Sequence, residues 1–398
     1  MQIPYGHTHF DLDIAADLLL PSPGTNGPSL EEMFVHADNR TYISNLQAAR
    51  RVTLVVPDNT RPDAHRRVLP HLMPLMGGKA QVTIVVACGA HVAPGKSFLD
   101  ELSALAPGAD VHVHDCDSSR MVNLGVTRRG TPVRVNETLL SAEVLVGIGS
   151  VAVHPFAGLS GGPKHFVPGC AARETITANH SLLLDEKAAP GRLIDNPLYL
   201  DLLEAVSLLG EPLIINEALA PDGTPIGYHM GRVAQAHGLA AELALRAAAV
   251  PLDEPYDLII ASAGGLPRDI NLYQAIKALE MAALACRPGG RLVLLAQCPE
   301  GVGSALYEDW ALRGRSEQEE MVRSHFMVGA HKAFLATRAL GKLGGAVLVS
   351  ELPPSLVKSM GFMPATSLEE ALSMTQITSA SKIGVMPYAT ASLPRGLR

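Results

Sequence analysis

Short apolar, β-branched runs alternate along this chain with stretches of helical pattern, and that alternation restricts the fold more than any other feature. Runs at 51–56, 81–87, 111–114, 143–147 and 212–216 have the length and composition of strands, and helical spacing fills 62–76 and 97–105 between them. Parallel strands need crossovers of about a dozen residues, which such helices supply. The pattern predicts an α/β protein with parallel-type sheets. At 398 residues the chain exceeds one ordinary domain of roughly 100–200 residues. Pro251-Leu-Asp-Glu-Pro255, two prolines around a polar turn, reads as a linker. A second strand–loop–helix–strand series follows at 256–262, 271–286 and 291–296, with a further strand at 346–349. We therefore expect two α/β domains, over 1–252 and 253–382, with the tail 383–398 returning to the first and the active site in the cleft between them.

Composition removes several function classes. The net charge of −7 and scattered basic residues argue against nucleic acid as a partner. No run of about 18 apolar residues suggests a membrane span, and the opening MQIPYGHTHFDLD has neither the basic nor the apolar region of a signal peptide. Five dispersed cysteines without a CxxC suit free thiols in a reducing compartment. We expect a cytoplasmic protein.

In open α/β sheets, ligands gather beyond the carboxyl ends of the strands, and four loops in such positions carry chemistry. Pro57-Asp-Asn-Thr-Arg-Pro62 offers Asp58 and Arg61. Its spacing allows either a guanidinium fork for an anion or a helix cap in which Asp58 or Thr60 satisfies backbone N–H groups and Arg61 pairs with Asp58. Ala87-Cys-Gly-Ala-His91 exposes one imidazole at a strand exit. The segment from His154 to Gly169 is the densest: Gly158, Ser160, Gly161 and Gly162 precede Lys164, and a helical stretch then leads to His180. Glycine amides of this kind can approach an anion closely, but the spacing is not that of a Walker A loop. After the first strand of the second series, Tyr273, Gln274 and Lys277 fall on one helical stretch, with Gln274 and Lys277 on a shared face. His112 and His114 alternate on one strand and read as either a metal pair or a solvated face. His165, His229, His325 and His331 have no motif around them.

Taken together these blocks resemble the lactate racemase family, which uses a nickel-pincer nucleotide. The resemblance rests on Asp58-Asn-Thr-Arg61-Pro, Gly89-Ala-His91, the run from His154 to Lys164 with Pro168-Gly169 and Ala178-Asn-His-Ser181, and Asn271-Leu-Tyr-Gln274-Ala-Ile-Lys277. It implies a racemase or epimerase that inverts C2 of a 2-hydroxy acid by reversible hydride transfer, with a Rossmann-like C-terminal domain. The implied cofactor is pyridinium-3-thioamide-5-thiocarboxylic acid mononucleotide carrying Ni(II), linked covalently to Lys164 and supplied by dedicated cofactor-synthesis proteins. His180 would ligate nickel, and His91 and His154 would be the acid/base pair. Arg61, Tyr273, Gln274 and Lys277 would hold substrate. Asp58, Gly158, Ser160, Gly161 and Gly162 would line the cofactor side.

The residue types suit that chemistry. Square-planar Ni(II) accepts soft sulfur and imidazole, and two histidines can serve the two hands of a substrate near neutral pH. Val92 and Pro163 stand where the lactate-specific pattern commonly has Arg, and Gln-Cys-Pro-Glu-Gly-Val-Gly-Ser follows Ala296, so the substrate side of the pocket departs from that pattern. A sugar-acid 2-epimerase and a non-catalytic carrier of the nickel nucleotide are the alternatives. A nicotinamide dehydrogenase is disfavoured because no G-x-G-x-x-G follows the first strand of either series.

Overall fold

The computed structural model describes residues 1–21, 24–78, 80–324, 326–327 and 329–396, so His325 lies outside the described residues. The chain divides into two compact units. One is Gly24–Ala247; the other joins Met1–Pro23 to Ala248–Arg398.

The 24–247 unit is built on a six-stranded sheet. Its strands are β1 (Arg51–Pro57), β2 (Gln81–Ala87), β3 (Asp110–Val113), β4 (Val144–Val151), β5 (Leu213–Leu219) and β6 (Pro225–Arg232), in the spatial order β6-β5-β4-β1-β2-β3. All neighbours are parallel except β5 and β6. Residues 52–56 of β1 are all buried, because a central parallel strand is covered on both faces and takes a near-continuous apolar run, here with Thr53 as its one polar member. Val52, Leu54 and Val56 of β1 pack with Ile84 and Val86 of β2 and with Val68, Leu69 and Leu72 of helix α1 (Ala64–Leu72). The helix expected over 62–76 thus ends at Leu72 and continues as one tighter turn, Met73–Leu75. Chain order reverses between β1 and β4. Loops leaving these two strands diverge there, which opens a crevice at their carboxyl ends.

The second unit carries another six-stranded, wholly parallel sheet. Strands β7 (Tyr256–Ser262), β8 (Cys286–Leu295), β9 (Gly345–Val349), β10 (Met363–Ala365) and β11 (Ile383–Met386) are joined by the short strand Asp17–Leu18, in the order β10-β9-β8-β7-β11-(Asp17–Leu18).

Two boundaries differ from the sequence reading. The tail is not returned to the first unit, since β11 pairs with β7 and Leu393–Arg395 pairs with Ala249–Pro251. Residues 1–21 also belong here, with Ile3 and Leu12 in the core beside Leu258, Ile260 and Val385. The tail resisted reading because Gly384 interrupts its apolar run. That glycine is needed, since a Cβ there would lie 2.8 Å from both Ile259 and Leu19. All five cysteines are buried free thiols. Among the described residues no helix is long and apolar enough to cross a membrane.

Candidate active site

Three of the four loaded loops leave the carboxyl ends of β1, β2 and β4, in and beside the crevice of the 24–247 unit. After β1 the chain turns through Asp58, which is wholly buried, to the exposed Arg61. The cap reading fails, because helix α1 has Asp63 at its N-cap and Asp58 faces elsewhere. One Asp58 oxygen accepts from the Thr60 amide at 2.7 Å and from the Thr60 hydroxyl. The other lies 2.7 Å from Nδ1 of His91, in the loop after β2. Burial works to raise the Asp58 pKa, but the hydrogen bonds from His91 and Thr60 outweigh it and hold the carboxyl below its ordinary value. On the far side of the imidazole, Nη2 of Arg61 is 3.3 Å from His91 Nε2. A guanidinium can only donate. His91 therefore carries its proton on Nδ1, toward Asp58, and presents a lone pair at Nε2.

The loop after β4 folds as a tight hairpin in which Val153–His154 pairs with Gly158–Leu159. The Ala157 amide donates to His154 Nδ1 at 3.2 Å, so the neutral ring has its proton on Nε2, which is 2.9 Å from Lys164 Nζ. An ammonium has no lone pair to accept that proton, so this contact requires Lys164 as a neutral amine. The electrostatics agree. Burial first, and the Arg61 charge second, hold Lys164 well below the ordinary lysine value. Phe156 completes the cluster. Its ring centroid lies 4.6 Å from that of His154, 5.5 Å from that of His180 and 5.7 Å from Lys164 Nζ. His180 is buried near the end of helix α2 (Arg173–Ser181). His154, Lys164 and His180 thus meet around one aromatic ring, and Arg61 links them electrostatically to His91 and Asp58.

The glycines of this loop have protein neighbours. A Cβ on Gly158 would fall 2.1 Å from the Arg192 carbonyl, one on Gly161 2.9 Å from the Ser150 carbonyl, and one on Gly162 2.5 Å from the His237 ring. The Gly162 amide donates to Asn216 Oδ1, and the Ser160 hydroxyl donates to the Ser150 carbonyl while accepting from the Ala152 amide. Close packing and a positive φ both require glycine at these three positions.

Tyr273, Gln274 and Lys277 lie in the other unit, on helix α3 (Leu272–Ala283), which Asn271 caps. Gln274 is exposed. Lys332 Nζ sits 3.5 Å from the Tyr273 ring centroid and donates to the Tyr273 carbonyl at 3.1 Å. One turn on from Lys277, the buried carboxyl of Glu280 is pushed up to about 7 by burial, against the charges of Lys332, Arg338 and Lys277. His114 is not half of a metal pair. It accepts from Asn136 at Nδ1 and donates to the Ala171 carbonyl from Nε2, while His112 is exposed. Among the described residues Asp115, Cys116 and Asp117 are close enough together to hold a cation, but Asp117 pairs with Arg173.

Sequence reasoning passed over Phe156, Asn216, His237 and Glu280. The available signals were weak: a polar Asn-Glu pair inside the apolar run at 213–219, and a Glu on the buried face of an otherwise apolar helix.

Comparison with known proteins agrees with this architecture. Residues 29–191 match the lactate racemase N-terminal domain and residues 252–391 the lactate racemase C-terminal domain. The chain belongs to the lactate racemase family, and it is an isomerase. It is 27% identical to a lactate racemase of Thermoanaerobacterium thermosaccharolyticum over 99% of both chains. A lactate racemase of Lactiplantibacillus plantarum is 30% identical over 63% of this chain and 61% of its own length. The solved structure of the Thermoanaerobacterium lactate racemase apoprotein superposes with a TM-score of 0.85 at 26% identity, covering 99% of each chain.

Proposed function

We propose that this protein inverts the C2 centre of a 2-hydroxy acid, with lactate the first substrate to test, and that it does so with a nickel-pincer nucleotide held in the 24–247 unit. One observation carries the proposal: His91 and His154 turn opposite forms of the same ring toward one cluster, a lone pair at His91 Nε2 and an N–H at His154 Nε2. Inversion that passes through a planar 2-oxo acid needs a base for the hydroxyl proton on one side and an acid on the other.

The donor set fits the cofactor. A neutral Lys164 amine would be the point of covalent attachment, and the buried His180 would offer one imidazole to the nickel beside the cofactor's sulfurs. When bound, that group supplies an acceptor for the C2 hydride. The protein's own groups do the rest. Arg61, exposed beside His91, holds the substrate carboxylate. Asp58 keeps the His91 proton on Nδ1, so that Nε2 takes the hydroxyl proton of one enantiomer. With one proton shared between the two rings, His154 enters that step as the imidazolium, giving up the Ala157 hydrogen bond, and protonates the oxygen on return; the cycle ends with His91 protonated and His154 neutral, the state that turns over the other hand. The resemblance adds Tyr273, Gln274 and Lys277 as groups that hold substrate oxygens.

The test is made on holoenzyme co-produced with the cofactor-synthesis proteins. L-lactate is incubated and followed by chiral separation, beside a panel of other 2-hydroxy acids and aldonic acids. Appearance of the opposite enantiomer, with nickel present and added mass on Lys164, is the expected result. Nickel-loaded protein that isomerises no 2-hydroxy acid would leave a carrier instead. Conversion confined to aldonic acids would reassign the substrate to sugar acids.

A further inference from the structure

Lys164 is carried by a single 3-10 turn, Gly162–His165, and one side chain grips both ends of that turn. The Gly162 amide donates to Asn216 Oδ1 at 2.9 Å, and Asn216 Nδ2 lies 2.8 Å from His165 Nε2. A backbone N–H can only donate, so it fixes which way the Asn216 amide faces. The NH2 then points at His165, which must accept at Nε2. Burial pushes the His165 pKa down to about 3, consistent with a neutral acceptor ring.

Asn216 is wholly buried on β5, opposite Gly149 of β4. The neighbouring strand makes room for the ring that Asn216 holds. A Cβ on Gly149 would lie 2.3 Å from His165 Cε1, and one on Gly147 would lie 2.9 Å from His165 Cβ. Two glycines two residues apart therefore form a slot across β4 for one imidazole. At the other end, Gly162 packs on His237, which bridges the Tyr199 hydroxyl and the Ser160 carbonyl. Both ends of the turn are pinned, and between them the Lys164 amine meets His154.

We propose that Asn216 is a positioning residue whose one amide clamps Gly162 and His165 together and thereby aims Lys164 at His154 as a neutral, acylation-ready amine. The proposal rests on the reading of Lys164 as the covalent anchor. Few side chains can do this. The clamp needs an acceptor and a donor on one planar carbon, at the reach of a single methylene. Leu would leave the Gly162 amide and the His165 lone pair buried and unsatisfied. Asp would keep the acceptor for Gly162 but set a carboxylate oxygen against the His165 lone pair.

The experiment compares full-length wild type, Asn216→Ala and Asn216→Asp before cofactor loading. Each is treated at pH 7 with N-acetoxysuccinimide, and acetylation at Lys164 and at the half-exposed Lys187 is followed by peptide mass spectrometry in the same molecules. An unclamped turn lets Lys164 reach water and regain its proton. At pH 7 a lysine with its ordinary pKa of about 10.4 is neutral in fewer than about one molecule in 10³, so even partial return toward that value should lower the Lys164-to-Lys187 rate ratio by about tenfold or more in both variants. A variant with native circular dichroism, a lowered melting temperature and an unchanged ratio would reduce Asn216 to a packing residue and overturn the proposal. If Asn216→Ala does not fold, Asn216→Asp, which keeps the Gly162 acceptor, carries the comparison. The anchor reading is checked separately by the intact mass of wild-type holoenzyme. Absence of an adduct on Lys164 would remove that reading and leave the acetylation comparison standing.

Discussion

His91 and His154 are the same side chain in two opposed settings. At His91, Nδ1 faces the buried Asp58 carboxylate and the lone pair is left at Nε2. At His154, Nδ1 faces the Ala157 amide and the proton is left at Nε2. Neither difference lies in the ring. Each is imposed from behind by what Nδ1 touches, an anion in one case and a peptide N–H in the other. The front partners follow: a guanidinium that donates to His91, and a neutral amine that accepts from His154. A carboxylate behind the ring stabilises an imidazolium, whereas a backbone N–H behind it opposes one. The two rings thus turn a lone pair and an N–H respectively toward the cluster, the pair of groups that the proposed inversion calls on.

The strongest way to break this comparison is to remove each ring. His91→Asn and His154→Asn should each lower kcat for enantiomer interconversion by about 10²–10⁴-fold, with circular dichroism unchanged. Two enantiomers have equal free energies, so kcat/KM must fall equally in the two directions. Any difference between the rings must show in kcat and KM taken separately, measured from each enantiomer. If either variant retains wild-type turnover, the two histidines are not a pair.

The central strands and the four loops were legible in the sequence because each is a contiguous pattern. The near-continuous apolar run at 52–56, interrupted only by Thr53, announces a strand covered on both faces, and the motif blocks sit directly after such runs. What escaped was set by partners far along the chain. Nothing within residues 1–21 says that Ile3 packs beside Leu258, and Ile383-Gly-Val-Met386 looks like a tail until β7 lies alongside it. Phe156 is one apolar residue among many until three polar groups surround it. Asn216 is 54 positions from Gly162 and 51 from His165, so its grip on the Lys164 turn has no local signature beyond a polar residue in an apolar strand. The glycines at 158, 161 and 162 did announce an irregular loop. Their neighbours, the Arg192 and Ser150 carbonyls and the His237 ring, are long-range facts as well.

A smaller perturbation sharpens the comparison by keeping both rings and changing only what stands behind one. Asp58→Asn preserves shape and the Thr60 turn but removes the anion, and its amide can offer Nδ1 either an oxygen or an NH2. Loss of a partner that orients a functional histidine typically costs about 10–100-fold in activity. The direct observable is 15N NMR of the His91 ring. Wild type should show the Nδ1–H tautomer, and Asp58→Asn a mixture or the Nε2–H form. His154, whose Nδ1 contact is untouched, should keep its Nε2–H signature in both proteins. A His91 spectrum unmoved by the substitution would mean that Arg61 alone sets its tautomer.

The smallest expected effect concerns acid stability, and it falls on the His91 side alone. The Asp58 carboxyl is held below its ordinary value of 3.8 in the folded chain, so the folded state binds that proton less readily than the unfolded state. Its contribution is fully present above the unfolded value and is lost as pH falls through the lowered folded value. Asn cannot titrate. The stability difference between wild type and Asp58→Asn, read from urea unfolding at a series of pH values, should therefore be constant from neutrality down to the ordinary carboxylate range. Below that it should shrink by an amount on the order of 1 kcal/mol, as expected for one hydrogen-bonded charge. The same series on Ala157→Pro, which deletes the amide behind His154, should run parallel to wild type through this acid window, since no carboxylate stands behind that ring. A difference that grows on acidification in Asp58→Asn would reverse the sign and place the Asp58 proton on the folded side.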